Sequence, residues 1–417
     1  MAHALARRRA TWIVVALLAL PRLAAAADDS AYDIDQDHAL SLRALLDVRV
    51  VGQGPRPSVL EGGPGKTRYG GIIENGREAE TITRFAVSQF ALQPIASLPW
   101  GIRAEAQLNR DIDIDTNGDW GAYTNAPRLV EGWLRKEWGG SNEGWALQGG
   151  VMTPRFSLEN TGPAWTPQMT LTPSAANTWL WEDVKPVGLQ GEWWGLLPGD
   201  LQINTGAGLG WGPDQLGTPL ARRGWVMSDY LTGINSSETI KASGKEYYVF
   251  NELDGYPAIW GGLSASDPSQ IAELRVGYFD NLGNLGVDGV WETRFGEMGL
   301  ALHPVTGLEV VMQGMVGNAT TRGKALESRF STWYPLVSYR YGGHRLSARY
   351  DNFRVTDVDG PPSTSESGYA VTVAYLFEFW LRHRIGFEYI YIDSERPGGD
   401  PSHMSQRGWQ VSYRFRY

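Results

Sequence analysis

The sequence predicts an all-β fold: a membrane-spanning, antiparallel up-and-down β-barrel of sixteen strands. Three observations predict it. The chain of 417 residues carries 18 Trp and 18 Tyr, yet its mean hydropathy is −0.29 and no long apolar run follows the first 27 residues. Its second half alternates apolar with polar residues in segments about ten residues long, the length a tilted membrane-crossing strand needs. Tight turns and long polar loops alternate between those segments, as the two ends of such a barrel differ.

The first 27 residues read as a secretory signal. Arg7, Arg8 and Arg9 are followed by "ATWIVVALLAL", then a proline and small residues ending at Ala27. The other reading is a membrane anchor, but the apolar run falls short of the ~20 residues a spanning helix needs. Residues 28–417 are then the barrel. Removing 1–27 takes away four arginines and no acid, which moves the formal charge from −9 to −13. An acidic chain is a poor partner for nucleic acid. Cysteine is absent, so a secreted chain of this length is held by hydrogen bonds and packing alone.

Period-two patterns give the strands. "IAELRVGYFD" sets Leu274, Val276 and Tyr278 against Glu273 and Arg275; "GYAVTVAYLFEF" sets Tyr369, Val371, Val373 and Tyr375 against Ala370, Thr372 and Ala374; "RIGFEYIYID" sets Phe387, Tyr389 and Tyr391 against Arg384 and Glu388. The same reasoning places strands at 39–51, 80–92, 100–110, 128–138, 144–152, 186–197, 200–210, 256–265, 270–280, 290–302, 307–316, 330–341, 344–354, 368–380, 382–393 and 406–417. "LQPIASLP", "GGSNE", "LPGD", "SDPS", "HPVTG", "GG" and the joint near Trp380 are the expected short turns.

The last strand, "RGWQVSYRFRY", alternates Trp409, Val411, Tyr413, Phe415 and Tyr417 with Gln410, Ser412, Arg414 and Arg416. It must pair with the first strand, because an open edge in lipid leaves backbone groups unsatisfied at several kcal/mol each. A soluble sandwich or propeller would alternate too, but would bury those aromatics in a core. Aromatics near strand ends suit the interfacial girdles of a barrel.

At barrel level the chain resembles Gram-negative outer-membrane porins of the sixteen-stranded type, and its aromatic end is similar to their insertion signal. "GGVMTPRFSLENTG" followed by "DVKPVGLQGEW" resembles the segment after the fifth strand of the phosphate-selective porin O/P family. The resemblance implies an integral outer-membrane protein among lipid and lipopolysaccharide, a homotrimer, and passive diffusion of small hydrophilic solutes or ions. The departure is in lysine: only six remain after residue 27, and none lies in the regular strands of the second half, so phosphate selectivity does not carry over.

Signatures of other chemistry are weak. The histidines are scattered without metal-ligand spacing. There is no GxSxG elbow, and "GAGLGWG" contains no GxGxxG, so neither an enzyme nor a cofactor is expected. Asp113, Asp115, Asn117 and Gly118 match half of a calcium loop, but Thr124 stands where a bidentate Glu is needed. A solvated acidic loop and a weak divalent site both stay open.

The candidate site is the lumen. Loop 153–185 is the third long loop, and in proteins the sequence resembles that loop folds inward and narrows the barrel. It carries Arg155, Glu159, Glu182 and Asp183, stiffened by prolines. It is read as a constriction whose acids face a basic wall; an outside lid is the alternative. Strand parity turns Arg43, Arg49, Arg103, Glu105, Arg345, Arg349, Arg384, Arg414 and Arg416 inward, since a midplane Arg facing lipid costs about 2–4 kcal/mol. Opposed charges would filter solutes by charge. The long outer loop 211–255 holds Trp211 and Trp225, which read as sugar-stacking platforms, as interfacial anchors or as loop packing. A non-channel barrel whose loops bind a ligand or partner is the competing function.

Overall fold

The computed structural model describes residues 39–417 except 55, 62, 72, 75–76, 79–81, 112–126, 241–244, 322–325, 361–363 and 400–401. The expected signal at 1–27 and the acidic stretch 113–118 lie outside the described residues.

Sixteen strands form one closed antiparallel barrel in sequence order. They are β1 (Leu40–Gln53), β2 (Ile82–Leu98), β3 (Ile102–Arg110), β4 (Arg128–Gly139), β5 (Glu143–Val151), β6 (Val187–Leu197), β7 (Leu201–Trp211) and β8 (Ala258–Ser266). The second half supplies β9 (Ala272–Asp280), β10 (Trp291–Val305), β11 (Leu308–Thr321), β12 (Glu327–Tyr341), β13 (His344–Asp357), β14 (Glu366–Phe379), β15 (His383–Glu395) and β16 (His403–Arg416). Each expected strand overlaps one of these, and β16 pairs with β1 from Leu45↔Arg416 to Gln53↔Gly408. No backbone edge is left open to lipid.

One expected turn is displaced. "LQPIASLP" is mostly strand, and the chain turns at Pro99–Gly101, where Trp100 adopts φ 65°. Pro94 lies inside β2. Its missing N–H is accommodated because the β2–β3 ladder steps from Leu92↔Leu108 to Ile95↔Glu105 and bypasses it. The β1–β2 register shifts between Asp47 and Val48, leaving Ser88 as a bulged residue. At the β12–β13 turn Gly342 takes φ 57°, the left-handed conformation a two-residue hairpin requires.

Parity along the strands is kept. Leu346, Tyr350, Trp333, Val337, Tyr375, Phe387 and Val411 are exposed on the outer face, while Ser338, Ser347, Arg349, Thr372, Glu388 and Arg414 are buried inside. Outer aromatics line up across strands, as in Tyr350–Tyr369 (centroids 5.9 Å) and Tyr369–Tyr391 (6.2 Å). Wall height varies: β3, β5, β8 and β9 have nine residues each, whereas β10–β16 have 13 to 15.

The inward face is not uniformly polar. Trp260, Phe279, Phe295, Phe330 and Phe353 point inside and belong to one buried cluster with Trp179, Leu220 and Trp225 of the long loops. A core of this kind excludes water from the part of the barrel it fills.

Candidate functional site

The lumen is divided by the loop between β5 and β6. Within it, α1 (Ala175–Asp183) is capped by Ser174, whose side chain accepts from the Asn177 amide, and all nine helical residues are buried. The sequence gives α1 no polar stripe toward water: Trp179, Leu180 and Trp181 are apolar, and Trp179 packs edge-on against Phe295 (5.1 Å) and Phe330 (5.3 Å). A helix buried all round is expected to be apolar or fully partnered.

Partners come from the tall wall. Arg349 on β13 pairs with Glu159 of the loop and with Asp351 (2.8 Å), and donates to the carbonyls of Thr172 (2.8 Å) and Pro173 (3.0 Å). Glu388 on β15 accepts from the amides of Leu171 (2.6 Å) and Thr172 (3.1 Å). Gln410 on β16 donates to Thr172 Oγ1 (2.9 Å) and Glu388 (2.7 Å). Asn177 donates to Glu159 (2.9 Å) and Tyr334 Oη (3.1 Å). Gln313, Tyr334, Asp351 and Asn177 were not singled out from sequence. Asp351 was legible as the inward neighbour two positions from Arg349; Gln313 and Tyr334 were legible by parity alone, without a charge to mark them.

Part of the loop between β7 and β8, read as an outer loop, packs against α1. It contains α2 (Thr218–Arg223), and the buried residues Leu216, Leu220, Trp225, Met227 and Leu231. Arg223 pairs with Glu182 (2.6 Å), and Tyr247 donates to Asp183 (2.9 Å). The expected opposition of loop acids to a basic wall is thus divided: Glu159 touches the wall at Arg349, whereas Glu182 and Asp183 are taken by the neighbouring loop. Trp225 donates its indole N–H to the Arg354 carbonyl (3.0 Å) and is buried. Trp211 is exposed.

The other expected residues fall in three places. Arg49 and Arg414 converge on Asp47 at the β1–β16 seam (3.0 and 2.6 Å), and Arg49 also meets Asp229 (2.5 Å). Arg43 is half-buried nearby. Arg103 pairs with Glu105 (2.7 Å) near the short-turn end of β3, over the Trp133 ring. Arg345 pairs with Glu309 (2.8 Å), and Arg384 makes no ion pair among the described residues.

Arg155 is exposed and lies over the Trp165 ring (4.9 Å). It borders a cavity of about 390 Å³ between the loop and β6–β9, with Glu192, Arg275, Trp181, Trp194 and Trp260 on other sides. Arg275 donates to the Ser157 carbonyl (2.7 Å), which pins the loop on this side.

Charge in the loops is tuned by burial. Burial pushes the Lys185 ammonium down to about 8, against the pull of Glu131, Asp183 and Glu182. Burial also lowers Lys66, opposed by its 2.6 Å partner Glu366. Burial, with Glu252 and Asp254 alongside, lifts the Asp214 carboxyl to about 6. Asp214, Glu252 and Asp254 place carboxylate oxygens within 4.8 Å of one another, the one such acidic group found among the described residues, and each accepts backbone amides.

No family model and no curated protein matches the chain. Solved structures match its fold. The outer-membrane channel DcaP of Acinetobacter baumannii superposes with TM-score 0.55 at 10% identity, over 91% of this chain and 97% of that one. OprB of Pseudomonas putida, at high pH, gives 0.54 at 10% identity over 91% and 94%. OmpF of Salmonella typhi in complex with daunomycin gives 0.52 at 8% identity over 91% and 97%. Nothing in these supports the narrower resemblance to the phosphate-selective porins. The shared feature is the architecture: this chain is a closed β-barrel of sixteen antiparallel strands, the fold it has in common with these proteins.

Proposed function

We propose that the chain is a porin, giving passive diffusion of small hydrophilic solutes or ions through the barrel. The observation that carries the reading is the cavity of about 390 Å³ left beside the inward loop, bordered by Arg155, Glu192 and Arg275 together with indole rings. The loop fills the lumen against β11–β16, so the path runs off-axis along β6–β9. Mixed charge at its border filters solutes by sign, the 153–185 loop being the constriction. Removal of residues 1–27 on export, assembly as a homotrimer and contact with lipopolysaccharide belong to the same reading; the first rests on the three-part layout of that segment, the others on the sequence resemblance. Catalysis and cofactors form no part of it.

A second reading, a plugged barrel whose loops bind a ligand, is favoured by one observation: every residue of α1 is buried. Planar-bilayer recording separates the two. Stepwise openings of steady size support diffusion; a silent bilayer containing folded, heat-modifiable protein supports the plug.

A further inference from the structure

Arg384 lies at the short-turn end of β15, inside the barrel and 2% exposed. Its register neighbours are Arg414 on β16 and Glu378 on β14. Both are committed elsewhere. Arg414 is held by Asp47 through Nε (2.8 Å) and Nη2 (2.6 Å). Glu378 receives Arg416 (2.9 Å) on one oxygen and Arg340 (3.5 Å) on the other. Glu309, the next carboxylate along the wall, is paired with Arg345. Arg384 Nε and Nη2 are buried with no acceptor in reach among the described residues.

Arginine cannot escape this position by losing its proton. A buried, uncompensated charge costs several kcal/mol, so a counter-charge is demanded. The space for one is present. A void of about 20 Å³ lies among Arg384, Arg340, Arg345, Arg416 and Glu378, closed on the loop side by the 162–168 segment with Gln168 and Thr166. Four guanidinium groups face one carboxylate there, or two counting Glu309. The void is about the size of one water. It suits a monatomic anion and leaves no room for the four oxygens of phosphate or sulfate. Water alone would fill the volume and leave the charge.

We infer that this pocket binds a chloride-sized anion, with Arg384 as its principal ligand and the 162–168 segment as its cover. The inference is independent of solute passage, since the pocket lies in the wall beneath the loop, away from the cavity at β6–β9.

The test uses the full barrel in detergent. Its unfolding midpoint is measured at equal ionic strength in sodium chloride, sodium gluconate and sodium sulfate, and crystals are soaked in sodium bromide. Expected are a saturable upward shift of about 2 °C or more in chloride over both other salts, and an anomalous bromide peak within hydrogen-bond distance of Arg384. Arg384→Met should lose the chloride shift and match or exceed the wild type in gluconate. Absence of the bromide peak would overturn the inference, as would a chloride shift that persists in Arg384→Met. An equal shift in sulfate would overturn the assignment of size. The bromide experiment needs no variant, so it decides even where Arg384→Met does not fold.

Discussion

Arg349 of β13 and Glu159 of the inward loop form an ion pair in which neither side chain is exposed. The pair joins the tall wall to the segment that fills it, and Asp351 shares the same guanidinium. Arg349→Met leaves two carboxylates buried without a cation, a change that typically costs 3–5 kcal/mol. The expected result is a barrel that still folds on its strands but holds the loop loosely, with unfolding in urea at lower concentration and larger, noisier single-channel conductance. Adding Glu159→Gln to Arg349→Met should recover part of the loss, since the two sites are coupled.

Asp47 is the acceptor that closes the seam. Arg49, Arg414 and the Ser412 hydroxyl all converge on it, the last at 2.9 Å. Asp47→Ala strands the buried Arg414 guanidinium at the β1–β16 joint and leaves Arg49 with Asp229 alone, and a loss of about 3–5 kcal/mol is expected. The gel shift between folded and heated protein, followed against temperature, should move down accordingly.

Asp214 gives a pH dependence with a definite sign. Its carboxyl sits at about 6 in the fold against 3.8 when free, with burial first and Glu252 and Asp254 second as causes. The folded state therefore holds this proton more tightly than the unfolded state. The resulting stability is complete below about pH 4 and is lost as pH rises through about 6. Asp214→Asn keeps the acceptor for the Leu253 amide without the charge. It should raise the unfolding midpoint at pH 7.5 and flatten its change between pH 4 and 7.

Arg155 tests the path. In Arg155→Glu the cavity beside β6–β9 exchanges a cation for an anion while the loop straps stay in place. The cation-to-anion permeability ratio, read from reversal potential, should rise roughly two- to ten-fold at low salt and less at 1 M, where the Debye length is about 3 Å. An unchanged ratio would move the path elsewhere in the barrel.

Much of this was legible in the sequence because strands write their two faces directly into alternation. Tyr375 outside and Ala374 inside follow from parity, and so does the pairing of β16 with β1. The turn expected at "LQPIASLP" is displaced because that stretch carries on as strand, and only the register of its neighbours shows that the β2–β3 ladder bypasses Pro94. The loops were legible as long and charged but not in their partners. Glu159 and Glu182 look alike on the page, yet one meets a strand arginine and the other meets Arg223 of another loop. Pairings of that kind depend on distances across a closed ring, and no local period encodes them. The aromatic interior was half-visible: Phe330 and Phe353 fall on the inward parity, but a lumen lined with phenylalanine makes sense only once Trp179 is there to cover it.

The unequal strands set how the molecule meets its membrane. Nine residues tilted near 40° rise roughly 23 Å, and fourteen rise roughly 35 Å, against an apolar band of about 25 Å. The β10–β16 side stands clear of the hydrocarbon at both edges, while the four strands β3, β5, β8 and β9 fall just short of its height. Lipids beside that low quarter must compress, or yield their place to another protein, and a surface that thins its surroundings draws together with others that do the same.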